Sequence, residues 1–153
     1  MTKTTELGVQ GVLYLAQHPE GYLANPQEIA ERMGESAAYI AKVLRLMTHS
    51  GIIRSHRGVS GGFELVRKPE DITLLEIVEA CQGTIQGNYC REMPAEIVPQ
   101  LCGYHQAMFE LKETCRRVLT EWTVARILKN PEAKVPSPAC RFRRIRVAAT
   151  VSV

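Results

Sequence analysis

A mainly α-helical chain with a small β wing, an α+β arrangement, is the fold class this sequence predicts. Three observations predict it. Two apolar-periodic segments, 26–33 and 36–47, are separated by Gly34, which is the spacing of a helix-turn-helix. Two β-prone runs follow, Ile52-Ile53 and Phe63-Leu65-Val66, on either side of a loop that carries Gly58, Gly61 and Gly62. Later, Leu101, Tyr104, Met108, Leu111, Cys115, Val118 and Trp122 recur at spacings of three and four, a heptad-like seam too long for a small domain to cover. Together these define a winged helix-turn-helix domain followed by a long dimerisation helix.

The first element expected is an amphipathic helix over Glu6–Gln17, with Val9, Val12, Leu13 and Ala16 on one side and His18-Pro19 ending it. Asn25 then caps a short helix that has Pro26 at its first position, where the missing N–H costs nothing. Ile29, Ala30 and Met33 face inward, and Gly34 closes the helix. Ser36 offers a hydroxyl to the orphan N–H groups of the next helix, which buries Ile40, Val43, Leu44 and Met47. Gly51 is expected at the left-handed position that ends it. After the wing, Lys68–Asp71 is a turn, and Thr73 caps a helix running through Ala80 with Leu74, Ile77 and Val78 inward. Gly83, Gly87, Asn88, Pro94 and Pro99 rule out a long helix between Gln82 and Gln100, and loops of that length are commonly functional or disordered. The organisation expected is therefore a winged domain over 1–80, a sensor loop over 81–100, a dimerisation helix and return helix over 101–130, and a basic tail over 131–153 with Arg141, Arg143, Arg144 and Arg146. A core helix folded back within one chain is the competing reading of the 101–122 seam.

Composition narrows the class. The formal net charge is only +3, so local clusters matter more than the total. No apolar run approaches a membrane span, and the polar, glycine-broken start does not read as a signal peptide, so a cytoplasmic location is expected. Five cysteines, an odd number without a secretion signal, suggest buried, metal-binding or redox-active thiols rather than disulfides. There is no nucleophile motif, phosphate loop or paired-carboxylate signature, and an enzyme is not expected.

Between Lys42 and Lys68 six cations (Lys42, Arg45, Arg54, Arg57, Arg67, Lys68) stand against one acid, Glu64. Such clustering is the footprint of a polyanion partner, here double-stranded DNA. Lys42, Arg45, Arg54 and Arg57 are expected on phosphates, and Ser36, Ala37 and Tyr39 near the reading end of the second helix. Ser60, Gly61 and Gly62 would let the wing backbone approach a phosphate or a minor groove. His56, beside Arg57, joins them as a possible phosphate contact, while His18 and His49 read as structural or exposed. A homodimer would match a palindromic operator.

Cys102 and His105 form a Cys-x-x-His step at the start of the long helix, with both side chains on one face, and Cys90 lies in the preceding loop. Thiolate and imidazole suit zinc or an iron–sulfur centre. Cys115 on the seam and Cys81 at a helix end read as packed small hydrophobes, and Cys140 as a tail thiol.

The segments ELGVQGVLYLA, IAERMGESAAYIAKVLRLMTHSGIIRSHRGVSGGFEL, ITLLEIVEA, the Cys…Cys-x-x-His region and TVARIL resemble the winged-helix regulators that include the iron–sulfur cluster regulator IscR and the nitric-oxide sensor NsrR. The resemblance covers roughly residues 1–130, and the wing string RGVSGGF is its most specific part. It implies a homodimeric transcriptional regulator, a repressor, whose DNA affinity responds to an iron–sulfur cluster, 2Fe–2S in preference to 4Fe–4S, or to iron, redox or nitric-oxide state. It also implies the ligands: Cys90, Cys102, His105 and Glu6, the last supplied by the partner subunit, with Glu96 near the position where the family has a middle cysteine. The missing cysteine equally fits a chain that has lost its cluster and senses through thiols or a small molecule.

Overall fold

The computed structural model describes residues 2–58, 61–84, 96 and 102–129. Its order is α1 (Lys3–Ala16), α2 (Pro26–Met33), α3 (Ala37–Leu46), β1 (Ile53–Ser55), β2 (Phe63–Leu65), a single 3-10 turn (Pro69–Asp71), α4 (Leu74–Gln82), α5 (Gly103–Glu121) and α6 (Val124–Leu128). The result is a helical body with one two-stranded antiparallel wing.

Capping chemistry sets most boundaries. Thr2 accepts from the Thr5 N–H, so α1 begins three residues before the expected Glu6 and stops at Ala16. Asn25 accepts from Gln27 and Ser36 from Tyr39, as expected. Between those helices Gly34 takes a left-handed conformation (φ 69°) that a side chain would strain, and its N–H returns to Ala30. Thr73 and Glu76 form a reciprocal capping box, and α4 continues two residues past Ala80 to Gln82. Gly51 is left-handed (φ 68°), yet α3 has already ended with Met47 in a right-handed cap, so Gly51 turns the chain into β1 rather than closing the helix. The second strand stops at Leu65, although the Val66 N–H still reaches the Ile52 carbonyl at 3.1 Å.

Ile29, Ile40, Val43, Leu44, Met47, Ile52, Ile77, Val78, Val12 and Val124 are almost completely buried and bring α1, α2, α3, α4, α6 and the wing base together. Each such side chain contributes about 1.5–3 kcal/mol of transfer free energy. Helix α1 lies very close to its neighbours: a Cβ on Gly8 would meet the Cys81 sulfur at 2.6 Å, and one on Gly11 the Leu44 Cδ2 at 2.7 Å. At the α1–α2 junction the Tyr14 and Tyr22 hydroxyls both donate to Glu28, and the His18 ring stacks on Tyr22 at 4.1 Å. Burial alone would push the Glu28 carboxyl up, but the two phenols hold it below the ordinary range. This cluster fixes the entry to the helix-turn-helix.

The wing is pinned on one side by Ala24, which exchanges two 2.9 Å backbone bonds with Phe63. On the other side the segment returning from α5 pairs with the start of α4: Leu74 N–H donates to the Trp122 carbonyl at 2.8 Å and Val124 N–H to Ile72 at 2.9 Å. Helix α5 packs against α4 yet buries none of its own residues.

Candidate functional site

Burying Ile40, Val43, Leu44 and Met47 turns the opposite face of α3 outward. On that face Ala38, Lys42, Arg45 and, just past the helix, His49 are exposed at spacings of four and three. Ala38 and His49 were not expected at this surface; the signal for them was the complement of the apolar stripe. Ser36 is exposed at the helix N-terminus, whereas Ala37 and Tyr39 are half-buried against the core. The Tyr39 hydroxyl lies 3.1 Å from Thr4 Oγ1, and Lys3 lies over its ring at 6.0 Å. Tyr39 thus links α3 to the start of α1. Lys3 also pairs with Glu35 at 2.7 Å, tying the start of α1 to the turn between α2 and α3.

The ladder continues beyond the named strands as two bonds between His56 and Gly62, 2.8 and 3.2 Å, which leaves Arg57, Gly58 and Gly61 at the tip among the described residues. Gly61 and Gly62 are required by contact rather than by φ: a Cβ on Gly61 would sit 2.3 Å from the His56 carbonyl oxygen, and one on Gly62 2.7 Å from that of Ala24. Arg57 is exposed at the tip, and Ser60 lies outside the described residues.

Partners divide the six cations. Glu64 accepts from Arg54 at 3.0 Å and pairs with His56 at 2.9 Å, and these contacts, His56 first, hold its carboxyl below the ordinary range. Arg67 pairs with Glu76 at 2.6 Å and also donates to the Asp71 carbonyl. Among the described residues Lys42, Arg45, Arg57 and Lys68 form no ion pair. Lys42 and Arg45 on α3 and Arg57 on the wing therefore present the open charge that a phosphate backbone can bind, while Arg54 is partly neutralised by Glu64.

At the start of α5 the Cys102 sulfur and His105 Nδ1 lie 3.0 Å apart at the surface. The His105 backbone N–H and its ring draw the thiol below its ordinary value. A soft thiolate and an imidazole converging on one exposed point fit two positions of a metal or iron–sulfur ligand set. Cys90 and Cys140 lie outside the described residues; Glu96 is exposed and Glu6 half-buried. Among the described residues no three His, Cys, Asp or Glu side chains gather as a metal site. Cys81 is different in kind: its sulfur lies against Gly8 of α1, and burial pushes the thiol up to about 11.

Along α5 the seam is open. Tyr104 and Leu111 are 55% exposed and Val118 39%, seven residues apart in turn, with Met108 and Cys115 half-buried beside them. Among the described residues, then, the rest of the chain leaves this seam largely uncovered. Leu101 lies outside the described residues, and Trp122 leaves the helix, with its ring stacked on Arg126 at 4.3 Å. No helix among the described residues is long and apolar enough to cross a membrane.

A reading helix with an open cationic face beside a glycine-tipped wing defines a winged-helix DNA-binding protein. Comparison with known proteins agrees. The Rrf2 family, described as iron-dependent transcriptional regulators, matches residues 1–130, and the chain belongs to it. Family members are DNA-binding transcriptional regulators rather than enzymes. Among curated relatives, the protein rrf2 of Nitratidesulfovibrio vulgaris is 27% identical over 143 residues, covering 93% of this chain and 95% of its own. The regulator NsrR of Bacillus subtilis is 26% identical over 134 residues, 86% of this chain and 92% of its own. Among solved structures, T. potens IscR superposes with a TM-score of 0.66 at 26% identity, covering 90% of this chain and 92% of that one. CymR, the global cysteine regulator of B. subtilis, superposes with a TM-score of 0.69 at 19% identity over 86% and 98%, a likeness of fold alone.

Proposed function

We propose that this chain is a homodimeric transcriptional repressor that reads a palindromic operator through the α3 face and wing of each protomer. The observation that carries it is the set of cations without ion-pair partners, Lys42 and Arg45 on α3 and Arg57 at the wing tip, beside an α5 seam left exposed in one chain. The division of labour is a DNA-binding part over 1–80, a sensor loop over 81–100, a dimerisation and return part over 101–130 and a basic tail beyond. Two copies joined along Tyr104, Met108, Leu111, Cys115 and Val118 would bury the exposed heptad and set the spacing of the two reading helices.

The sensor reading rests on the Cys102–His105 pair. An iron–sulfur cluster, preferentially 2Fe–2S, would be held by Cys102, His105 and Cys90, with Glu6 of the partner subunit or Glu96 completing the set. The family description as iron-dependent and the IscR and NsrR relatives support it. The chain's own residues would act by ordering the segment ahead of α5 in one state and releasing it in the other, shifting a two-state equilibrium of the dimer. Iron and sulfide analysis with the visible spectrum, on protein purified without oxygen, tests this. About one cluster per chain, lost in Cys102→Ala, is the expected result; colourless protein that resists reconstitution contradicts it.

A second reading has an observation of its own. Only two of the proposed donors meet among the described residues, and one neighbour in fold is a cysteine regulator. In that reading the same DNA-binding dimer senses through thiols or a small molecule, and metal-free protein responds to oxidant in a way that Cys90→Ser abolishes.

A further inference from the structure

One carboxylate ties the exit of the wing to the start of α4, beside the segment that returns from α5. Glu76, in the first turn of α4, accepts with Oε2 from the Thr73 N–H at 2.9 Å and from the Thr73 hydroxyl at 2.9 Å. With Oε1 it accepts from Arg67 at 2.6 Å. Arg67 is the second residue after β2, and its other guanidinium nitrogen donates to the Asp71 carbonyl, so the side chain clamps the exit of the wing onto the turn before α4. Thr73 lies in an antiparallel bridge with Thr123, just beyond the end of α5. The wing exit and the α4 N-terminus therefore meet at Glu76, and the α5 return reaches the same corner through Thr73.

A two-stranded ribbon with strands of three residues has little stability of its own, so its direction is set by what holds its flanks. Ala24 holds one flank through backbone bonds. The Arg67–Glu76 pair holds the other, and a planar guanidinium bonded to two acceptors fixes direction as well as distance. The pair is half-exposed, with 37% and 36% of the two side chains accessible, so its contribution to global stability is small and its orienting effect is what matters. We propose that Arg67 and Glu76 are a positioning pair that sets the wing angle against the dimerisation arm, so that displacement of α5 reaches the DNA-contacting tip through the Thr123–Thr73–Glu76–Arg67 chain. Arg67, by residue type a phosphate ligand, acts on DNA affinity without touching DNA. The proposal rests on the reading of α3 and the wing as the DNA interface.

The test uses the full chain, mixed-sequence duplex DNA and a salt titration, with R67K, E76Q and the double variant compared with wild type. R67K keeps the charge but loses the fork; E76Q keeps an acceptor for Thr73 but loses the charge that holds Arg67. Each single variant should lose about tenfold in affinity, at the upper end of what residues touching neither ligand contribute to coupling, and the double variant no more than either alone. The salt slope should stay at the wild-type value, and circular dichroism at the binding temperature should show unchanged helix content, which separates misplacement from unfolding. Wild-type affinity in R67K, or tighter binding by E76Q through release of Arg67 toward phosphate, would overturn the proposal. Wild-type binding in the same titration tests the interface separately, so failure of the pair and failure of the interface read differently.

Discussion

Glutamates decide which cations of the wing region remain available. Glu64 absorbs Arg54 and His56 and Glu76 absorbs Arg67, while Arg57 at the tip has no ion-pair partner among the described residues. Arg57→Ala should therefore weaken binding to every duplex alike, whereas Arg54→Ala should have a smaller effect because Glu64 already neutralises part of its charge; parallel titrations with one mixed-sequence duplex measure both. Glycine chemistry makes a second prediction at this scale. Gly62→Ala would drive a methyl to 2.7 Å from the Ala24 carbonyl oxygen, backbone that also bonds Phe63, and should cost about 1–3 kcal/mol as overpacking, read as a lower urea midpoint. Cys81 supplies a third. Its thiol keeps its proton to about 11 in the folded chain but titrates near 9 when unfolded. The unfolded state thus loses its proton first, and stability falls as pH rises through that window. Urea unfolding of wild type and Cys81→Ala should show a stability difference that is flat below pH 9 and shrinks toward pH 11. Residue roles set by local chemistry were legible in the sequence: Asn25, Ser36 and Thr73 act as caps because a cap needs only the next three residues. Roles set by distant partners were not. Tyr39 is tied to α1 because Thr4, thirty-five residues earlier, meets its hydroxyl, and Arg67 is neutralised by a carboxylate on another element.

Helices and strands came through from periodicity with small displacements, each with a physical cause. The start of α1 moved to Lys3 because Thr2 caps it, and α4 ran on to Gln82 because nothing stops it before Gly83, whose N–H closes on Glu79. Helix α5 was legible as an apolar seam, but periodicity alone could not say whether the seam faces its own chain. Its exposure among the described residues supports the dimer reading, and Leu111 tests it. Leu111→Glu should give a monomer by sedimentation with near-wild-type helix content, since a side chain 55% exposed contributes little to the core of one chain. A dimer that survives the substitution would place the interface elsewhere; an unfolded chain would mean the seam packs internally after all.

At the scale of the whole molecule the proposed arrangement is a two-site device. The reading face and wing lie at one end of the connection, the Cys102–His105 pair at the start of α5 lies at the other, and α5 with its return segment joins them to the α4 N-terminus. Of the cations between Lys42 and Lys68, four form no ion pair among the described residues, and the proposed reading gives three of them, Lys42, Arg45 and Arg57, to DNA, doubled in a dimer. The measurement that bears most directly on this is the affinity of wild type and of Lys42→Ala/Arg57→Ala for duplex DNA as salt is raised. Log affinity should fall linearly with log salt, and in a dimer the double substitution should remove four phosphate contacts and make the slope shallower by about 3.6, at ~0.9 per contact. An unchanged slope, or no duplex binding by the wild type even at low salt, would contradict the assignment of α3 and the wing as the DNA-binding surface.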